Sequence, residues 1–241
     1  MSPRPDKRNP EAVRPIRFER AFTNTAPGSV LASFGETRVL CTASWQDKVP
    51  PFLQNKGRGW LTAEYAMLPS STGNRKQRDR AGKIDGRSVE IQRLIGRSLR
   101  AVIAFEKMTE RTIWVDCDVL QADGGTRTVS ISGAWLAVHD CLLEMNKRRI
   151  LREWPLKTQL GAVSVGIVDG EPLCDLCYRE DSNADVDMNL VMTGEGEFVE
   201  IQGSAEGATF GSDALARMLE LGKGGIEQIF AAQRAVIEPG A

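Results

Sequence analysis

The stretch TIWVDCDVLQADGGTRTVSISGAWLAVHDCLLEM (residues 112–145) carries the clearest fold signal in the chain. From residue 112 to residue 121 apolar and polar side chains alternate, which is typical of a β-strand with one buried face. Further on, apolar side chains recur at helical spacing, at Ile131, Trp135, Val138, Leu142 and Met145. The glycine pair Gly124–Gly125 therefore lies between a strand and a helix.

This glycine pair is a candidate anion site. Glycines let the backbone bend and approach a ligand closely, and the free N–H groups at the start of a helix favour an anion. Arg127 adds a planar guanidinium group that matches phosphate oxygens. Gly125, Thr126 and Arg127 are therefore candidate phosphate-binding residues, although a plain turn followed by a threonine N-cap explains the same residues.

Each half of the chain runs strands first and helices afterwards. The first half has a hairpin at 28–44, a strand at 59–68, a polar loop at 71–86 and a helix that Asp85 can cap. The second half has a hairpin turning at Asp169–Gly170, two more strands, and two final helices, capped near Ser212 and broken near Gly224–Gly225. We predict an α+β protein of two related units, residues 1–156 and 157–241, beginning with a disordered arm of about a dozen residues.

The composition is that of an ordinary globular protein and argues against several other classes. The chain has 241 residues and a net charge of −1, with no apolar run long enough for a membrane span or a signal peptide. Its five cysteines are an odd number scattered through apolar segments, which favours reduced thiols. The CxxC at 174–177 lacks the further ligands of a zinc site. We expect a soluble cytoplasmic protein without a membrane or DNA partner.

Positive charge is concentrated between residues 75 and 100 of this nearly neutral chain. Arg75, Arg78 and Arg80 lie in the polar loop, where they could guide a polyanion such as RNA or simply keep an exposed loop solvated. Arg87 falls in the first turn of the following helix, where the dipole disfavours a cation. That position suggests an anion or a carboxylate nearby, and we expect Arg87 and Arg127 to hold one phosphate.

The segment YREDSNADVDMN (178–189) supplies the acidic counterpart, with carboxylates at Glu180, Asp181, Asp185 and Asp187. Acidic loops are commonly just soluble, but carboxylates aimed into a cleft suit Mg²⁺ or Mn²⁺. A divalent cation would also reconcile these acids with RNA phosphates. The single histidine, His139, lies beside the apolar stripe of its helix, so we interpret it as structural and expect no Ser-His-Asp catalysis.

Five segments resemble the signatures of the ribonuclease PH family, the bacterial phosphorolytic exoribonucleases also called tRNA nucleotidyltransferases. They are GWLTAEYAMLPSST, GRSVEIQRLIGRSLR, DCDVLQADGGTRTVSISGA, CDLCYREDSNADVDMN and VEIQGSAEG. The resemblance runs through nearly the whole chain, and its motifs are long and ordered.

The resemblance implies two βαβ-type subdomains with helices packed on mixed sheets, assembled into a homohexameric ring that is a trimer of dimers. It implies that inorganic phosphate, a co-substrate, is bound by Arg87, Gly125, Thr126 and Arg127. It implies that Asp181 and Asp187 are catalytic carboxylates that hold a divalent cation. It implies that tRNA is gripped by arginines of the polar loop, here Arg75, Arg78 and Arg80.

The activity implied is phosphate-dependent 3′-to-5′ trimming of nucleotides after the CCA end of tRNA precursors, releasing nucleoside diphosphates. The reverse reaction would add nucleotides to RNA 3′ ends, and rRNA ends would be further substrates. One alternative is a catalytically silent RNA-binding ring subunit of the exosome type, but such subunits lose arginines or acids that are present here. Hydrolysis is a second alternative, and no residue is positioned to activate a water molecule for it.

Overall fold

The computed structural model describes residues 4–78, 85–207 and 209–238. Within these ranges the chain forms two β-sheets and four α-helices around one continuous hydrophobic core. This arrangement confirms the predicted α+β class.

The first sheet has five strands in the order β1-β2-β3-β5-β4. These strands are β1 (Ile16–Arg20), β2 (Gly28–Phe34), β3 (Thr37–Gln46), β4 (Trp60–Met67) and β5 (Thr112–Gln121). Strands β4 and β5 are parallel and are joined by helix α1 (Gly86–Ala101), so they form a βαβ unit in an otherwise antiparallel sheet. Parallel strands end at the same sheet edge, so the polar loop after β4 and the glycine pair after β5 begin side by side.

The alternation in β5 is confirmed by burial. Its apolar face, from Ile113 to Val119, is buried in the core beneath the helices. Asp116 and Asp118 lie on the opposite, uncovered face of the sheet, where partial burial and the charge of Glu64 raise their pKa values. The strand therefore fixes which face of the sheet carries the helices and the core.

Helix α2 (Thr126–Lys147) begins directly after the glycine pair and lies between the two sheets. It packs on β2, β3 and β5 on one side and on the first strand of the second sheet on the other. Close packing depends on its small residues, since a Cβ atom on Gly133 would lie 2.7 Å from the Ala32 Cβ atom and 2.9 Å from the Cys41 Sγ atom. Both faces of α2 are consequently in the core.

The second sheet is antiparallel throughout and has the order β7-β6-β8-β9. Its strands are β6 (Leu160–Val168), β7 (Glu171–Cys174), β8 (Val186–Thr193) and β9 (Phe198–Ala205). The predicted hairpin turn is confirmed, with φ values of 51° at Asp169 and 75° at Gly170. A single-turn helix, α3 (Tyr178–Asp181), connects β7 to β8 and carries part of the acidic segment.

The prediction of two terminal helices is wrong, because helix α4 (Ser212–Ile237) is continuous; its N-cap residue is Gly211. Its glycines serve packing: a Cβ atom on Gly222 would lie 2.1 Å from the Leu190 Cδ1 atom, and one on Gly225 would lie 2.5 Å from the Cys174 Sγ atom. The second sheet supplies enough buried contact to outweigh the weak helix propensity of glycine. Neither α4 nor any other described helix is long and apolar enough to cross a bilayer.

The prediction of a disordered N-terminal arm is also wrong from residue 4 onward. Arg4 and Arg14 are only 7% and 3% exposed, and they form ion pairs with Glu180 and Asp175. The arm is further held by a hydrogen bond of 2.8 Å from the Cys174 amide to the Pro10 carbonyl. A proline-rich, polar stretch suggests disorder by composition alone, but its arginines find buried partners far along the chain.

Candidate active site

The glycine pair forms the turn that the sequence predicts between β5 and α2. Gly124 and Gly125 have φ values of 75° and 64°, in the left-handed region that favours glycine. A Cβ atom on Gly124 would also lie 2.8 Å from the Tyr178 amide nitrogen, at the start of the acidic segment. The turn therefore requires glycine for its own conformation and for its contact with the acidic segment.

The start of α2 offers unpaired main-chain donors. Within the described residues, no hydrogen-bond partner is present for the N–H groups of Gly125, Thr126 and Arg127. The Thr126 hydroxyl lies 2.8 Å from the phenol oxygen of buried Tyr65, so this side chain faces the core. Thr126 could thus contact an anion through its N–H group, which together with its two neighbours forms the anion-binding end of the helix.

Arg127 extends from the first turn of α2 and is held by two side chains that the sequence argument did not assign to the site. Its Nη1 atom donates to the Gln202 Oε1 atom at 2.9 Å and to the Glu90 Oε1 atom at 3.2 Å. The Gln202 Nε2 atom in turn donates to Glu90 at 3.1 Å. Gln202 lies in the quoted VEIQG segment, but only the pairing of β9 with β8 brings it beside the acidic residues.

Arg87 enters the site from the N-terminal turn of α1, and Asp85 caps that helix as predicted. The Asp85 Oδ1 atom accepts a hydrogen bond from the Arg87 amide at 3.2 Å. A hydrogen bond from Lys76 is the main cause that lowers the pKa of Asp85. The charge of the Arg87 side chain acts on Tyr65, Asp181 and Asp187, so this guanidinium lies in the same electrostatic environment as Arg127.

Asp181 and Asp187 lie at the end of α3 and the start of β8. Burial and, after it, the neighbouring charge of Asp181 raise the pKa of Asp187 to about 6, against the opposing effect of Arg127 and Arg87. Burial also raises the pKa of Asp181, against the effect of the same two arginines. The structure thus brings together the two predicted arginines and the two predicted carboxylates, which come from four different elements.

The two carboxylates fit a divalent cation. The Asp187 Oδ1 atom is buried and has no hydrogen-bond partner among the residues that the structure describes, so it is a desolvated oxygen that a cation would satisfy. In the described part of the chain no three His, Cys, Asp or Glu side chains converge on one point. Mg²⁺ commonly binds one or two carboxylates and completes its shell with water and substrate phosphate, which matches this pair.

Two of the three predicted RNA-binding arginines are described. Arg75 and Arg78 are exposed and make no ion pair within the described residues, whereas Arg80 lies outside them. The segment that precedes them is fixed to the glycine turn, because the Ala122 amide donates to the Ser71 carbonyl at 2.8 Å. Among the described residues these two arginines therefore have no acidic partner, and their loop begins at the sheet edge where the candidate phosphate turn lies.

Known proteins resemble this chain over nearly its full length. Residues 12–144 match the model of domain 1 of the 3′ exoribonuclease family, and residues 158–225 match its domain 2. A protein named "Ribonuclease PH" from Synechococcus sp. (strain JA-2-3B'a(2-13)) is 56% identical over 237 residues, which cover 97% of each chain. Another of that name from Syntrophomonas wolfei is 52% identical over 235 residues, covering 97% of this chain and 98% of the relative.

Solved structures show the same fold at low identity. Rice Rrp46 superposes with a TM-score of 0.79 at 18% identity, covering 98% of this chain and all of the rice protein. A chain of the Archaeoglobus fulgidus exosome with RNA bound to the active site gives a TM-score of 0.78 at 19% identity, covering 95% and 92% of the two chains. These similarities establish the two-sheet architecture independently of close sequence relatives.

Proposed function

This chain belongs to the 3′ exoribonuclease family, and from that premise we propose that it trims RNA 3′ ends with inorganic phosphate as the attacking group. It is a phosphorolytic nucleotidyltransferase of the ribonuclease PH type, which removes nucleotides beyond the CCA end of tRNA precursors. One observation carries the proposal: two arginines and a helix N-terminus face two carboxylates, and within the described residues neither the N-terminal N–H groups nor the carboxylates have a hydrogen-bond partner of opposite charge. Such a site can hold an anion on one side, and on the other its carboxylates would hold a divalent cation that neutralises charge on the phosphodiester.

The reaction needs no side chain to activate water, because phosphate is already an anionic nucleophile. An oxygen of hydrogen phosphate attacks the terminal phosphorus, and the bond from that phosphorus to the 3′ oxygen of the preceding nucleotide breaks. The proton of the hydrogen phosphate passes to that oxygen, so the products are a nucleoside diphosphate and a shortened RNA with a free 3′ hydroxyl. The protein must hold two mutually repelling anions in line, which is a task of positioning and electrostatic stabilisation. The product keeps an anhydride bond, so the reaction also runs in reverse and adds nucleotides from diphosphates.

Each candidate residue has a place in this scheme. Arg87 and Arg127, with the N–H groups of Gly125 and Thr126, neutralise and orient the attacking phosphate. Asp181 and Asp187 hold Mg²⁺ or Mn²⁺, which when bound would neutralise charge on the scissile phosphodiester and its leaving oxygen. Support comes from the buried oxygen of Asp187, which has no partner in the described part of the chain, and from the raised pKa values of both acids.

The RNA itself is contacted by Arg75, Arg78 and Arg80 in our proposal. The exposure of the first two and the start of their loop beside the glycine turn support this role. We further propose a cytoplasmic homohexamer built as a trimer of dimers, since the family resemblance implies that assembly. The five cysteines, all buried and unpaired, fit a reducing compartment.

One assay tests the activity against its alternatives. A tRNA with a short 3′ extension is incubated with Mg²⁺, with and without phosphate, and the released nucleotide is identified. We expect diphosphates that appear only with phosphate. Monophosphates released without phosphate would indicate hydrolysis, and no release at all would indicate a silent RNA-binding subunit; either result contradicts the proposal.

The role of Arg127 is tested in the same assay. Arg127→Ala should abolish phosphorolysis while leaving tRNA binding nearly unchanged, because this guanidinium faces the phosphate turn. Arg148→Ala, which removes an arginine from the other end of α2, is the matched control and should retain activity. Normal turnover in Arg127→Ala, or loss of tRNA binding with turnover intact, would refute the assigned role.

A further inference from the structure

Arg14 is a buried arginine of the N-terminal arm that is fixed by a buried carboxylate. Its Nη2 atom donates to the Asp175 Oδ1 atom at 2.8 Å and its Nε atom donates to Oδ2 at 2.9 Å. The Arg14 main-chain amide adds a third bond to the same carboxylate, at 2.7 Å. The Arg14 side chain is 3% exposed and that of Asp175 is fully buried, so the guanidinium has one well-determined position.

The other edge of this guanidinium holds the glycine turn. Its Nη1 atom donates to the Asp123 carbonyl, and its Nη2 atom lies 3.5 Å from the Gly124 carbonyl oxygen. Thr37, at the start of β3 and fully buried, completes the attachment. Its hydroxyl donates to the Gly124 carbonyl at 2.7 Å and accepts from the Asp123 amide at 2.8 Å.

These bonds determine where the N–H groups of the turn point. In a planar trans peptide the carbonyl of one residue and the N–H of the next point in opposite directions. When Thr37 and Arg14 hold the Gly124 carbonyl, the Gly125 N–H must point away from them, and it is left without a partner within the described residues. The same constraint on the Asp123 carbonyl fixes the orientation of the Gly124 N–H group.

The charge of Arg14 also reaches the reacting end of the site. Burial raises the pKa of Asp181, and Arg14 opposes that rise together with Arg87 and Arg127. Arg14 is nevertheless behind the turn, where its donors are taken up by Asp175 and the two carbonyls. It therefore acts through the backbone of the turn and not by direct contact with the substrate.

We propose that Arg14 and Thr37 are positioning residues for the phosphate, which aim the N–H groups of the glycine turn by holding the opposite carbonyls. The inference rests on the proposed phosphorolytic function. It assigns part of the phosphate affinity to a residue of the N-terminal arm. A purely structural role would instead affect stability without favouring one substrate over the other.

Steady-state kinetics of phosphorolysis separate these two roles. Thr37→Val keeps the shape of the side chain and removes the hydroxyl, so KM for phosphate should rise roughly three- to tenfold, while KM for RNA stays within about twofold. Arg14→Lys keeps the charge but loses the planar fork, and KM for phosphate should rise at least about tenfold. Stabilisation of each variant by added phosphate in thermal unfolding gives a second measure of phosphate affinity that does not depend on turnover.

The chain provides a matched control for each variant. Thr112→Val removes a buried hydroxyl that donates to the Lys48 carbonyl at 2.8 Å, at the opposite end of β5. Arg20→Lys breaks a bidentate pair with Asp140 and a bond to the Val236 carbonyl, away from the glycine turn. Both controls should lose stability to a similar degree and keep the wild-type KM for phosphate.

The outcomes are distinguishable. An unchanged KM for phosphate in Thr37→Val, or equal changes in KM for both substrates, overturns the inference. A wild-type protein that releases no diphosphates overturns the proposed function itself, before any variant is compared. If Arg14→Lys does not fold, the comparison of Thr37→Val with Thr112→Val still decides the question.

Discussion

Glu180 and Asp181 are neighbours in the chain, yet they belong to opposite sides of the acidic segment. On the rear side, Glu180 binds Arg4, and Asp175, which lies just before the segment, binds Arg14. Burial alone would raise the pKa of Glu180, but hydrogen bonds from Arg4 and from the Cys177 amide lower it below its ordinary value. On the front side, burial raises the pKa of Asp181, because no arginine hydrogen-bonds to it within the described residues.

The difference shows that docking of the N-terminal arm determines which acids of this region are paired with an arginine. The rear acids have an arginine in contact, so they are neutralised in place and anchor the loop. The front acids face arginines that act only through space, so they remain available to a cation. Acidic residues of one short segment thus divide into structural and reactive sets according to what docks behind them.

The largest expected effect comes from removing a front charge. Asp187→Asn should lower phosphorolysis at least about a hundredfold, because the site loses one of the two charges that can hold a divalent cation. The measurement is turnover across a range of Mg²⁺ and Mn²⁺ concentrations. The control Asp185→Asn changes an exposed acid two residues away and should keep normal turnover. Wild-type turnover in Asp187→Asn would contradict the assignment of a catalytic role to the front acids.

A rear charge should matter for stability instead. Glu180→Gln leaves the buried Arg4 guanidinium without its carboxylate, which should lower the free energy of unfolding by about 3 kcal/mol. Turnover per folded molecule should change little. Denaturant unfolding gives the comparison, with Glu11→Gln as control, since its exposed ion pair with Arg217 is worth less than about 1 kcal/mol. A stable Glu180→Gln variant with impaired turnover would contradict the comparison.

Ionisation of the front acid Asp187 should also lower the free energy of unfolding in a pH-dependent way. The folded-state pKa of Asp187, about 6, exceeds its ordinary value of 3.8, so the stability gained by protonation is complete below pH 3.8 and is lost as pH rises through 6. In a chelating buffer at pH 7.5, Asp187→Asn should therefore be more stable than the wild type by about 1–3 kcal/mol.

Thermal or denaturant unfolding across this pH range tests the expectation. The advantage of Asp187→Asn should shrink to nothing near pH 4, where the wild-type carboxyl is also neutral. A wild type that is more stable than Asp187→Asn at pH 7.5 without divalent ions would argue that the front acid is structurally paired.

The smallest expected effect concerns the support of Arg127. Gln202→Leu removes the bond of 2.9 Å to Nη1 but leaves Glu90 in contact, so KM for phosphate should rise only a few-fold, equivalent to about 0.5–1 kcal/mol. Gln228→Leu on α4, which removes an exposed amide bonded to the Glu11 carbonyl, is the control and should have no effect. A tenfold or larger change would place Gln202 among the direct phosphate ligands.

Local patterns in the sequence predict the elements that carry the site. The alternation of β5, the glycine pair and the helical spacing of α2 each depend on neighbours in the chain, and the structure agrees with all three. The helical conformation of Gly225 could not be predicted, because its place in an unbroken helix depends on packing against Cys174 in strand β7. Local propensity alone indicates a break at that position.

Long-range pairing limits the rest of the prediction. The sequence around Arg4 and Arg14 does not identify their partners, because Glu180 and Asp175 lie beside these arginines only after the arm has docked. The contact between Gln202 and Arg127 could not be predicted for the same reason, since it depends on the pairing of β8 with β9. The motifs identify which residue types meet at the site, and the fold determines which of the acids lack an arginine in contact.

The position of α2 between two sheets limits how the enzyme can respond to its substrates. A helix covered on both faces by close contacts has no free direction in which to slide or tilt, so its first turn is a fixed reference point. Any adjustment to a tRNA 3′ end must then come from segments other than this first turn. Phosphate therefore binds to a preformed site, whereas the RNA 3′ end has to be positioned against it.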